Sequence, residues 1–138
     1  MKQEDKRLLL INLCNRLPYE VKVKCPHDDE PYTLLSINWN KEIVVIGFVM
    51  DGMYVTSKQK LADIKPYLRP MSSMTEEEKK EFIDAVTWEF NGKFYIDESE
   101  DISFYQEKYD WLNAHHFDYR GLIPKGLAIS TEEFNPYK

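Results

Sequence analysis

The amino-acid sequence predicts an α+β domain spanning residues 1–138. Three observations carry that prediction. Apolar residues alternate with period two through much of residues 20–57, and apolar residues recur at helical spacing near both ends of the chain. Two turn dipeptides, Asp51-Gly52 and Asn91-Gly92, separate strand-like runs. A chain of 138 residues can bury one core without cross-links, and its 14% aromatic content supplies large side chains to fill it.

The first element expected is a helix from Asp5 to Leu17, where Leu10, Leu13, Cys14 and Leu17 recur at helical spacing and Pro18 forces a stop. That phase places Cys14 on the buried stripe as a small packed group. Strands follow. "EVKVKC" turns Val21, Val23 and Cys25 inward and Lys22 and Lys24 outward. "PYTLLSINW" comes next, then "EIVVIGFVM", which is apolar on both faces and therefore interior to the sheet. Asp51-Gly52 turns the chain back into "MYVTS". The result is an antiparallel meander of four strands, curled and barrel-like.

Residues 61–74 interrupt this pattern. Pro66 and Pro70 deny a regular helix or a central strand, while Ile64, Tyr67, Leu68 and Met71 pin the connector to the body. Thr75 and Glu78 then form a T-x-x-E capping box for a helix with Phe82, Ile83 and Val86 on its inward face. "WEFNGKFYI" is an aromatic hairpin, and a last helix runs from an N-cap at Ser99 to about His115. The domain thus reads as residues 1–70, the helix, meander and connector, followed by residues 71–138, an acidic helix–hairpin–helix part.

Charge divides along the same line. Residues 1–70 hold 11 Lys and Arg against 9 Asp and Glu, whereas residues 71–138 hold 7 against 15. The acidic half repels a phosphate backbone and suits a protein partner with a basic surface. Cys14 and Cys25, without C-x-x-C spacing, fit a reducing cytoplasm. "MKQEDKRLLLINLC" has no leader pattern, and the apolar run from Ile43 to Met50 is too short to span a bilayer. A cytoplasmic protein with no membrane partner is expected.

"NAHHFDYRGL" is the most chemical-looking stretch. Ile102, Tyr105, Tyr109, Leu112 and His116 lie on one helical stripe, so His116 should end a core-facing ridge, with His115 rotated about 100° away. Neighbours at i and i+1 point in different directions, whereas a shared metal wants i, i+3 or i+4. The motif therefore reads as a helix end, with His115, His116 and Asp118 only weak site candidates. "CPHDDE" brings His27 and Asp28 close in sequence, but a Pro-containing acidic turn yields the same letters. No phosphate-binding, dinucleotide-binding, nucleophile-elbow or H-E-x-x-H motif occurs, and no catalytic residue, cofactor or metal is assigned. Lys58, Lys60, Lys65 and Arg69, with Tyr67 among them, form a candidate single-stranded nucleic-acid surface if they share one face, although the acidic chain weighs against nucleic acid.

Three stretches, "LCNRLPYEVKV", "IKPYLRPMSSMTEEEKKEF" and "DWLNAHHFDYRGLIPKGLA", together resemble a family of small, uncharacterised proteins of gut bacteria, carried on prophages and other mobile elements. The resemblance covers nearly the whole chain and implies no reaction, cofactor or catalytic residue. It implies a context in which small proteins act by binding a host or phage protein. The function expected is thus non-catalytic protein binding, an anti-defence inhibitor being one form. A single-stranded nucleic-acid module or a small metal-dependent hydrolase using His27, Asp28, His115, His116 and Asp118 are the alternatives.

Overall fold

The computed structural model describes residues 1–90, 93–96 and 102–138, with the side chains of 1–84 and 108–138. Helix α1 (Gln3–Arg16) precedes four antiparallel strands, β1 (Lys22–Cys25), β2 (Asp28–Asn38), β3 (Ile43–Met50) and β4 (Met53–Lys60). Strand β5 (Lys65–Leu68), helix α2 (Glu76–Val86), the hairpin β6 (Thr87–Phe90) and β7 (Lys93–Ile96), helix α3 (Ile102–Ala114) and the short β8 (Ile129–Ser130) complete the α+β fold. Among the described residues, no helix is long and apolar enough to cross a membrane. The expected Asn91-Gly92 turn and the Ser99 cap lie outside the described residues.

The large sheet has the order β4-β3-β2-β1-β5-β8. Its two end strands, β4 and β8, do not pair with each other, so the expected barrel-like closure does not form. The four-strand meander is present, but β5 extends it. Pro66 stands opposite Val23 in an interior strand, against the expectation that its ring would deny one. The ladders on the two sides of β5 explain why. Lys65 and Pro66 face β1, whereas Tyr67 and Leu68 pair in parallel with β8, so no residue of β5 serves both neighbours.

One face of the sheet carries the core. Val21, Val23, Leu34, Val44 and Ile46 are buried there against Leu9 and Leu13 of α1, with Leu61, Ile64, Leu68 and Leu122 closing the ends. Alternation within each strand then puts Lys22, Lys24, Val45, Lys58, Lys60 and Lys65 on the opposite, outer face. Helix α1 buries Leu9, Asn12, Leu13 and Arg16, a stripe at i, i+3, i+4 and i+7, one residue out of the expected phase. Cys14 is accordingly exposed, not packed.

Helix α2 begins as its sequence predicts. Thr75 Oγ1 accepts from the Glu78 amide, and a Glu78 carboxylate oxygen accepts from the Thr75 amide, both at 3.1 Å. Phe82 meets Trp111 of α3 at a ring separation of 5.2 Å, but Ile83 is exposed, as is Met71 in the connector.

Candidate functional site

Helix α3 ends at Ala114, and the histidine doublet forms its cap. The Phe117 amide donates to Leu112 O at 3.0 Å and the His116 amide to Asn113 O at 3.1 Å, with His116 at φ +64°. This is a Schellman motif whose left-handed position, usually glycine, is filled by His116. The helix has therefore unwound before His116, and the expected ridge stops at Leu112. Phe117 is then fully buried and stacks on Trp111 at a ring separation of 5.8 Å. The segment is fastened sideways as well. Arg69 N donates to His116 O, and Asp118 N donates to Arg69 O, each at 2.8 Å.

Asp118 is buried and its role is local. Its carboxylate accepts from the Leu122 and Ile123 amides at 2.8 and 2.9 Å, which tightens the turn after the helix. Arg16, fully buried, reaches this junction from α1. Its Nε donates to Asn12 Oδ1 at 2.6 Å, one Nη donates to the Phe117 carbonyl, and its guanidinium lies 5.3 Å from the Tyr119 ring centre. Burial pushes its pKa down to about 10, so it remains cationic at neutral pH. The His116 ring stacks on Tyr137 at 3.7 Å, and Tyr137 Oη bridges the sheet by accepting from Lys22 N and donating to Tyr67 O. Burial first, then the cations Arg16, His115, Arg69 and Lys22, hold the His116 pKa down at about 4.

A cleft of about 540 Å³ opens beside this junction, lined by Arg69, Glu78, His115, His116, Tyr137 and Lys138 among others. Two of its charges, Arg69 and Glu78, are paired with each other. Arg69 grips the Glu78 carboxylate with both Nη atoms, at 2.5 and 2.6 Å, and lies over the Phe117 ring at 4.2 Å. This pairing holds the Glu78 pKa down at about 2. His115 stacks on Trp111, and its Nδ1 stands 3.9 Å from Glu78.

His27 is exposed in the β1–β2 turn and takes no part in lining this cleft. The four-residue strand β1 lies between it and the Lys22 amide that meets Tyr137. Asp28 is committed to its own hairpin, accepting from the Glu30 amide at 2.9 Å and from Tyr32 Oη at 2.5 Å. The structure thus does not bring His27 and Asp28 together with His115, His116 and Asp118. Among the described residues, no three of His, Cys, Asp and Glu stand together so as to hold a metal ion.

The four basic candidates are divided too. Lys58 and Lys60 are exposed on the outer face of β4, and Lys65 is exposed on the same face of β5. Four strand spacings separate them, about 19 Å. Arg69 is bound in the cleft, and Tyr67, expected between them as a stacking platform, is buried at 3% exposure.

A different surface stands out at the far end of the sheet. Strands β3 and β4 pair without a break from Ile43↔Lys60 to Met50↔Met53 and are joined by Asp51 at φ +52° and Gly52 at φ +77°, a type I′ turn. At this tip Val49, Met50, Met53 and Tyr54 are between 52% and 71% exposed. They form two cross-strand pairs on opposite faces of the hairpin, Val49↔Tyr54 on the outer face and Met50↔Met53 on the face that carries the core further along the sheet. Sequence reasoning passed over them because an apolar alternating hairpin reads as core. The legible signal was that the apolar run continues to the last residue before the turn on both strands. In comparisons with protein-family models, curated proteins and solved structures, none matches this chain.

Proposed function

We propose that the protein is a non-catalytic protein-binding module that docks through the β3–β4 hairpin end. The observation that carries this reading is the exposure of apolar pairs on both faces of the hairpin tip, Val49 with Tyr54 on one and Met50 with Met53 on the other. Solvent-facing apolar clusters of this kind mark contact surfaces, and methionine adapts its shape to a partner at small conformational cost. The polar residues around His116 support the same reading, because their hydrogen bonds and stacking are directed at holding α3, β5 and the C-terminal segment together.

Charge near the tip refines the partner. The acidic half, residues 71–138, suits a basic partner, but the docking end belongs to the other half of the chain, where Lys58 stands on the Val49–Tyr54 face two alternate positions from Tyr54. The partner surface is therefore apolar with acidic groups beside it. In a phage or mobile-element setting, such a module acts as an accessory on a host protein, an anti-defence inhibitor being the concrete form. The test is comparative capture from a host lysate with the wild type and with Met50→Asp/Met53→Asp. A protein retained by the wild type and lost by the variant supports the proposal. Identical capture profiles, or none above background at low and high salt, overturn it.

A further inference from the structure

Strand β4 ends the sheet, and among the described residues nothing pairs with its outer edge. Which of its backbone groups face outward follows from the ladder. The Leu61 amide donates to Glu42 O at 2.8 Å, continuing the β3–β4 register, so the odd-numbered residues 53 to 61 bond to β3. The N–H and C=O groups of Tyr54, Thr56, Lys58 and Lys60 therefore point away from the sheet. This edge is eight residues long and, in its pairing with β3, carries no bulge. Most exposed edges are short, bulged or covered, so an edge of this length is an unusual opening for another strand.

We infer that β4 accepts an extended, acid-bearing segment of the partner as a seventh strand of the sheet, an inference that rests on the binding role proposed above. The same four residues carry both halves of the recognition. Their backbone groups offer the ladder, and their side chains, all on the outer face, would stand opposite alternate residues of the incoming segment. Lys58 and Lys60 meet no carboxylate among the described residues, so acids are favoured opposite them, with β-branched or apolar residues opposite Thr56 and Tyr54. A second copy of this chain fits less well, because β4 paired with itself gathers four lysines on one face.

The probe is a synthetic eight-residue peptide with glutamates at its first and third positions and valine or threonine elsewhere, titrated into the full chain and followed by amide NMR. Binding should protect the amides of Tyr54, Thr56, Lys58 and Lys60 from exchange and leave those of β8 unchanged. N-methylation of the peptide's alternate amides on its ladder edge, Thr56→Pro, and Lys58→Glu/Lys60→Glu should each weaken binding at least tenfold. The proline removes only an outward donor, so folding is retained at this edge position. Unaltered affinity for the N-methylated peptide overturns the inference, as does tighter binding of an oligothymidine than of the peptide. A β4-mediated dimer that excludes the peptide overturns it as well. If Met53-dependent capture of a protein persists while the peptide fails, strand addition alone is wrong. If both fail, the binding role falls with it.

Discussion

Around Phe117 the side chains that look most reactive are turned inward, whereas at the β3–β4 turn the side chains that look most structural are turned out. The first region holds Arg16, Asp118, His116 and Glu78, which meet a carbonyl, two amides, a tyrosine ring and a guanidinium, although one Arg16 Nη and His116 Nδ1 are buried without a hydrogen-bond partner among the described residues. The second holds two methionines, a valine and a tyrosine with more than half of each exposed. The comparison teaches that residue type is a poor guide to role until burial is known. A histidine pair can be a helix cap, and an apolar hairpin can be a contact surface.

The contrast is broken most severely by removing the buried cation. Arg16→Ala leaves the Phe117 carbonyl and Asn12 Oδ1 without their donor and opens a cavity under α3, so urea unfolding should show a loss of about 3 kcal/mol. A loss below about 0.5 kcal/mol would mean that Arg16 does not hold this end closed. Next in size is Glu78→Gln, about 2 kcal/mol at neutral pH. The folded-state pKa of Glu78, about 2, lies below the ordinary 4.5. The stabilisation is therefore complete above about pH 4.5 and is lost as pH falls toward 2, and over that window the variant's stability curve should converge on the wild type's. A gap that persists at pH 2 would place the effect elsewhere than in the Arg69 pairing.

The third effect concerns His116. Its folded pKa, about 4, is depressed from 6.5, so the neutral ring is the stabilising form and protonation opposes folding. Wild-type stability should decline as pH falls from 6.5 toward 4. His116→Phe keeps a ring against Tyr137 and cannot take a proton, so its curve should be flatter through that interval. Parallel curves would show that His116 is not the group that titrates.

The elements that were legible, β1, β3, β4 and the start of α2, are those governed by local rules. Val21, Val23 and Cys25 are buried as alternation requires, Asp51-Gly52 makes the turn that positive φ demands, and Thr75 with Glu78 caps α2. The failures share a cause in long-range contact. Leu8, Leu9, Leu10 and Ile11 supply apolar residues in every phase of α1, and the chosen phase is fixed by Arg16, whose partner Phe117 lies 101 residues away. No apolar pattern selects a stripe containing Asn12 and Arg16. Pro66 was misjudged because a strand's two edges can be used by different residues, which only β8 reveals. The histidines were rightly placed at a helix end, but their neighbours Tyr137 and Arg16 could not be read from the stretch itself.

The most direct measurement places a photo-activatable phenylalanine analogue at position 53 in one preparation and at position 115 in another, and irradiates each in host lysate. A docking surface at the hairpin tip predicts a discrete protein adduct from position 53 and background labelling from position 115. A discrete adduct from position 115, with position 53 silent, would contradict the account and move function to the cleft beside His116.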